Sequence, residues 1–294
     1  MSAAGGSASD DPFAHTRMTL GGHLDELRKR LFRGVLALLV AFVVSLVFRH
    51  ALMGWILEPH RTVVGWLNES FRAEAEEIVA REPARRAEFF NADGSFRLAL
   101  EERLITVSPT EGMWFVLKVA GWSALFFGAP FLLWQLWQFV AAGLYPRERR
   151  WVGWFFPPAL LLFVGGVVFS YLVLVPYGMY YANRDLPIEL IKPTISVGFY
   201  FSFLTTLSLG MGLVFQLPIL MTFTGRVGMV EPRTYAGLRG HFVIVAVFLS
   251  ALITPGGDLF SLVAMAGPML VLYEIGILGA RLAARAAARG EARA

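Results

Sequence analysis

Hydrophobic positions gather in long blocks along this chain, and the polar positions fall between them. Six apolar runs stand out: residues 31 to about 48, 113–142, 154–175, 197–223, 241–254 and 259–280. A helix needs about 20 apolar residues to cross a hydrocarbon core roughly 30 Å thick, which five of these runs approach or exceed. The fifth run, 241–254, is short; at 1.5 Å per residue it reaches only roughly 21 Å. The first run passes a junction at Arg49 and His50 and is expected to close at Pro59, since proline interrupts a helix interior. The second carries Lys118 near one end and Pro130 inside; the third opens at Pro157 and Pro158 and is expected to end at Pro176 and Tyr177.

Two polar stretches carry helical periodicity of their own. In HLDELRKRL, residues 23–31, Leu24, Leu27 and Leu31 continue a face begun by Leu20, while Asp25, Glu26, Arg28, Lys29 and Arg30 take the other. By itself, a charged helix leading into a span is an interfacial anchor. Residues 61–106 form a long polar segment with Val63, Leu67, Phe71 and Ile78 on one helical face and a turn at Asn91, Ala92, Asp93 and Gly94. Residues 1–19, small and polar, are expected to be a disordered leader, and residues 285–294 a basic tail.

Composition confirms the class that the runs suggest. The chain is 56% hydrophobic with a mean hydropathy of +0.58, well beyond a soluble domain. The expected fold is an all-α membrane protein of six transmembrane helices. Arginines collect in residues 144–150, at Arg226, Arg233 and Arg239, and in the tail, while residues 183–194 and 255–258 are neutral or acidic. That alternation puts both termini and the basic loops in the cytoplasm. The net charge of +4 then encodes orientation, not nucleic-acid binding. The chain has no cysteine, which removes disulfides and thiolate chemistry, and it shows no internal repeat.

Candidate chemistry is sparse. None of the five histidines sits deep in a run, and neither HExxH, GxSxG nor a phosphate-binding glycine loop occurs, so no catalysis and no cofactor are expected. Two polar residues lie at membrane depth, where exposure to lipid is costly: Gln216 in the fourth run and Glu274 in the sixth. Gln216 fits either an interhelical hydrogen bond or a functional place on a hydrated concave groove. Glu274 is expected nearer the cytoplasmic end and partly solvated.

Together the motifs carry a family resemblance. HLDELRKRL, then SPTE, WQLWQFVAAGLYPRERR, FQLP, ITPGGD and YEIGI follow one another along residues 20–284 in the order seen in TatC, the polytopic receptor subunit of the twin-arginine protein translocase. The resemblance implies a glove-shaped six-helix bundle in the cytoplasmic (inner) membrane of a prokaryote, with an enlarged first outer loop at residues 61–106. It also implies binding of twin-arginine signal peptides and export of folded proteins on the proton-motive force. The implied partners are TatA-like and TatB-like single-span subunits, with further copies of the chain in a larger complex.

Residue by residue, the resemblance makes Glu26, with Arg28, and Glu148, with Arg149 and Arg150, the signal-peptide-binding positions, together with Phe139. It gives Pro59 and Tyr171 structural or functional weight, and it sets Gln216 on the concave side. The family's acid in the second cytoplasmic loop would fall near Thr234, a departure from the pattern. The competing reading is a secondary transporter of small solutes, which would need ionisable residues in discontinuous spans near the midplane.

Overall fold

The computed structural model describes residues 20–144, 146–188, 190–191, 193–253 and 259–291. The expected leader, the turn at residues 255–258 and the last three residues of the tail lie outside them. Five apolar segments are long enough to cross a membrane, and one helix is shorter. They form a multi-pass bundle: α1 (Leu20–Val47), α4 (Glu111–Ala142), α5 with α6 (Pro146–Phe169 and Val175–Asn183), α7 with α8 (Val197–Val214 and Leu217–Val227), the short α10 (Arg239–Ile253) and α11 (Leu259–Glu291). Between α1 and α4 runs α2 (Arg49–Arg81) with a four-residue α3 (Arg86–Phe89); α9 (Pro232–Gly237) precedes α10.

α1 and α4 lie antiparallel. Leu132 packs over Gly34, Leu38 over Gly128 and Phe42 beside Gly121, so the facing positions run in opposite directions. Small residues under large ones let two helices approach where lipid gives no hydrophobic drive. The opposite face of α1, with Phe32, Val43 and Val47 exposed, is left for lipid. At one end of the bundle, α1 and α5 begin and α4 and α8 finish. Here Trp137 meets Phe223 edge-on at 5.1 Å and Phe223 meets Phe155 at 5.3 Å, fastening α4, α5 and α8 together.

The other end is a cap, and here the structure departs from expectation. Pro59 does not close a helix; α2 runs through it for 33 residues, and the amphipathic face carried by Val63, Leu67 and Phe71 is buried on the same helix. A proline leaves the carbonyl four residues earlier without its donor. Here that carbonyl, of Trp55, accepts from the Tyr171 hydroxyl, and the next one, of Ile56, accepts from the Tyr200 hydroxyl. Two tyrosines from distant helices thus satisfy the proline turn. Tyr200 is fully buried, so Tyr200→Phe should lower stability by about 1–3 kcal/mol and Tyr171→Phe by less, read as thermal unfolding in detergent.

Three further boundaries differ from the sequence reading. The third span does not stop at Pro176. A single π turn, residues 170–174, widens the helix, Val175 bonds back to Ser170, and α6 carries on through the proline to Asn183. The fourth run is broken at Phe215 and Gln216, because Pro218 cannot supply the donor that a continuous helix would need. α11 continues to Glu291, so residues 285–291 of the expected tail are helical. The expected turn at Asn91–Gly94 is present: Gly94 has φ +79° and Asp93 accepts from the Ser95 amide at 2.9 Å.

The cap is joined to the bundle by packing and by polar contacts. Asn68 exchanges two hydrogen bonds with Leu100, at 2.7 and 3.1 Å. Ile105 forms a bridge with Ser196 just before α7. His60, only 3% exposed, sits where the cap meets the bundle and stands edge-on to Tyr200 at 5.6 Å. Burial holds its pKa below the ordinary value, with Arg61 adding to the effect, while the Glu102 charge and backbone carbonyl oppose it. The folded cap therefore keeps His60 neutral, whereas the unfolded chain takes up a proton below about pH 6.5. The stability this gives is complete above that pH and is lost as pH falls towards the folded pKa. Proteolysis of the cap should accelerate from pH 7 to pH 5, and His60→Gln should flatten the dependence.

Candidate functional site

Both charged motifs lie at the end where α1 starts and α4 finishes. Extending the antiparallel register places Glu26 and Leu27 level with the last turns of α4, beside Phe139. The chain turns after Ala142 and α5 begins at Pro146, with Glu148 in its first turn. A carboxylate there sits in the favourable field of a helix N-terminus. So Glu26, Phe139 and Glu148 lie at one end of the bundle.

The immediate surroundings are specific. Glu26 is 26% exposed at its side chain and forms an ion pair with Arg30 one turn on, whose side chain is 13% exposed. Arg28 and Arg149 are exposed. Arg150 lies over the Trp151 ring at 5.3 Å, and Arg226 lies over that same ring at 4.2 Å while donating to the Ala283 carbonyl at 3.3 Å. The start of α5 is in this way tied to the ends of α8 and α11. A groove between α1 and α4, about 210 Å³ in volume, opens at this end; Leu27, Leu31, Leu136 and Phe139 form its apolar wall.

Chemically, this end offers two partly buried carboxylates and an apolar groove. Carboxylates accept paired donors from guanidinium in a bidentate fork, and a groove of leucines and phenylalanine accepts an apolar segment. Among the described residues no cluster of histidine and acidic side chains is arranged to hold a metal.

The remaining expected positions lie elsewhere. Pro59 and Tyr171 meet at the cap end, through the Tyr171 hydroxyl and Trp55 carbonyl already described. Tyr171 is separated from Glu148 by roughly 35 Å of helix. Gln216 corrects one expectation: it is only 8% exposed, and its amide donates to the Ala159 carbonyl at 3.0 Å. It serves an interhelical bond across the break between α7 and α8, not an open hydrated groove. Glu274 receives both arms of Arg239, at 2.6 and 2.8 Å, with both side chains about half exposed. Thr234 lies inside α9; the acid of that loop is Glu231, at the start of the helix.

Glu111 plays a part the sequence reading did not assign. Its carboxylate accepts from the Val107 amide at 2.5 Å and from the Gly198 amide at 2.7 Å, latching the chain before α4 to the first turn of α7. A Cβ at Gly198 would fall 2.6 Å from that carboxylate, so the latch needs glycine there. The signal was present in the sequence, since Ser108 and Glu111 have the spacing of a helix-capping box.

Comparison with known proteins gives one consistent result. Residues 22–268 match the profile of the family described as Sec-independent protein translocase protein (TatC). A TatC from Halothiobacillus neapolitanus is 34% identical over 260 residues, which are 88% of this chain and 61% of that longer relative. The TatCy protein of Bacillus subtilis is 30% identical over 276 residues, 94% of each chain. A crystal structure described as the twin-arginine translocase receptor TatC superposes with a TM-score of 0.67 at 27% identity, covering 89% of this chain and 99% of that one.

Proposed function

This chain belongs to the TatC family of Sec-independent protein translocase proteins, a transport family, and on that premise we propose that it is the core receptor subunit of a twin-arginine translocation system. In this reading it lies in the cytoplasmic membrane of a prokaryote with both termini inside. It binds twin-arginine signal peptides at Glu26 and Glu148. Arg28, Arg149, Arg150 and Phe139 frame the site, and the groove beside Phe139 takes the apolar stretch that follows the arginines. Folded cargo is then exported on the proton-motive force with TatA-like and TatB-like single-span subunits, in an assembly holding more than one copy of the chain. α10, 15 residues long with Ile244, Phe248 and Leu252 exposed, offers an edge for such a single-span helix.

The observation that supports this reading most is the meeting of both motif carboxylates at one end of the antiparallel α1 and α4. The small-solute transporter has no comparable support, because Gln216 is engaged with Ala159 and Glu274 with Arg239. The test is export. Cells lacking their own family member, supplied with this chain and its neighbouring single-span partners, should export a folded reporter carrying a twin-arginine signal. A twin-lysine version should stay inside. Equal export of both would remove the proposal.

A further inference from the structure

The carboxylate assigned to the signal is already occupied. Arg30 Nη2 pairs with Glu26 Oε1, and the pair is partly withdrawn from water, with side-chain exposures of 13% and 26%. Arg30 is not fully satisfied by this arrangement. Its Nε is buried without a hydrogen-bond partner, and so is Oε1 of Gln135 on the facing helix. Both residues line the groove between α1 and α4, among Leu27, Leu31 and Phe139. A buried N–H donor and a buried carbonyl acceptor left open on facing walls are costly, which makes a second resting place for the guanidinium favourable.

We propose that Arg30 is an internal competitor that sets the affinity threshold of the signal site: it holds Glu26 as a stand-in for a signal arginine and moves to Gln135 when the signal binds. This rests on the reading that Glu26 receives a signal arginine. An internal competitor one turn away acts at high effective concentration, so the incoming cation must displace a guanidinium. A signal arginine brings the same planar fork and matches what it displaces; a lysine brings a strongly hydrated point charge and does not. The cost of displacing Arg30 is common to both ligands, so it lowers both affinities by the same factor and leaves their ratio to the fork itself; what Arg30 raises is the concentration that either ligand needs to occupy the site. Gln135 repays the displacement by accepting the released guanidinium, which keeps the site usable for the correct ligand.

The test uses the purified full-length receptor in lipid nanodiscs and labelled twin-arginine and twin-lysine signal peptides. Arg30→Gln should tighten binding of both peptides by a similar factor, about tenfold, with their ratio kept. Arg30→Lys keeps the charge but has no Nε donor or fork; it should tighten both by a smaller factor and serves if the glutamine variant folds poorly. Gln135→Leu should weaken twin-arginine binding several-fold, and adding Arg30→Gln should restore it, since no guanidinium then needs a landing place. Unchanged affinities for both peptides in both Arg30 variants, or a double variant that still carries the full loss caused by Gln135→Leu, overturns the inference. Glu26→Gln separates the two levels. If it destroys binding while the Arg30 variants leave both affinities unchanged, only the role of Arg30 fails; if it leaves twin-arginine binding intact, the site itself fails.

Discussion

Glu26→Gln and Glu148→Gln should each weaken binding of a twin-arginine signal peptide by about ten- to a hundredfold, and the double variant should abolish it. An exposed ion pair contributes only about 0–1 kcal/mol, too little to matter. These two carboxylates are better placed. Glu26 is three-quarters buried at its side chain, and Glu148 is half-buried in the first turn of α5. A charge-assisted bidentate contact in such a setting contributes about 1.5–3 kcal/mol, which is the stated loss in affinity. Glutamine keeps the shape and the acceptor oxygen but removes the charge, so insertion and folding should persist. Peptide binding and co-purification of the single-span partners, measured in the same variants, check this. Retained assembly with lost binding is the expected result. If the glutamates only tie loops to Arg30 or its neighbours, assembly and binding would fall together.

The second large effect concerns how α5 and α7 are held. A Cβ at Gly166 would lie 2.6 Å from the Met211 carbonyl oxygen and 2.9 Å from Phe215. Backbone cannot yield as a flexible side chain would, and α7 is anchored at its far end by Tyr200 on Ile56 and Gly198 on Glu111. Gly166→Ala must therefore part the two helices, costing about 1–3 kcal/mol, and Gly166→Leu more. Gly165 is an internal control, because a Cβ there meets nothing within 4 Å. Gly165→Ala should be neutral or slightly stabilising, as alanine favours helix. Thermal unfolding of the three variants in one detergent reads the difference. Equal effects at 165 and 166 would show that the close approach does not govern this contact.

Much of the bundle was legible because membrane helices are written as uninterrupted apolar runs. Where the reading went astray, the cause lay in distant partners or in competing local signals. Pro59 is a local helix breaker, and the Tyr171 hydroxyl, 116 residues from the Trp55 carbonyl it serves, answers the acceptor that the proline leaves open. The break at Gln216 hid inside an apolar run, although Pro218 two residues on was its local cause. α11 carries on into the stretch set apart as a basic tail, since alanine, the strongest helix former, alternates there with the arginines. Gln216 left two readings open that only a partner could settle, and Ala159 is that partner. For the site, the two charged motifs were visible as sequence, and the family resemblance paired them. What no local pattern carried was the antiparallel register of α1 and α4 that brings them to one end, nor the ion pair by which Arg30 already holds Glu26.

The most direct test of the signal site places a photo-activatable residue beside the arginine pair of a signal peptide and maps its adducts on this receptor by mass spectrometry. Adducts should fall within residues 24–31 and 139–150 and disappear with a twin-lysine peptide. Adducts confined to the cap, residues 61–106, or to α11, would contradict the account.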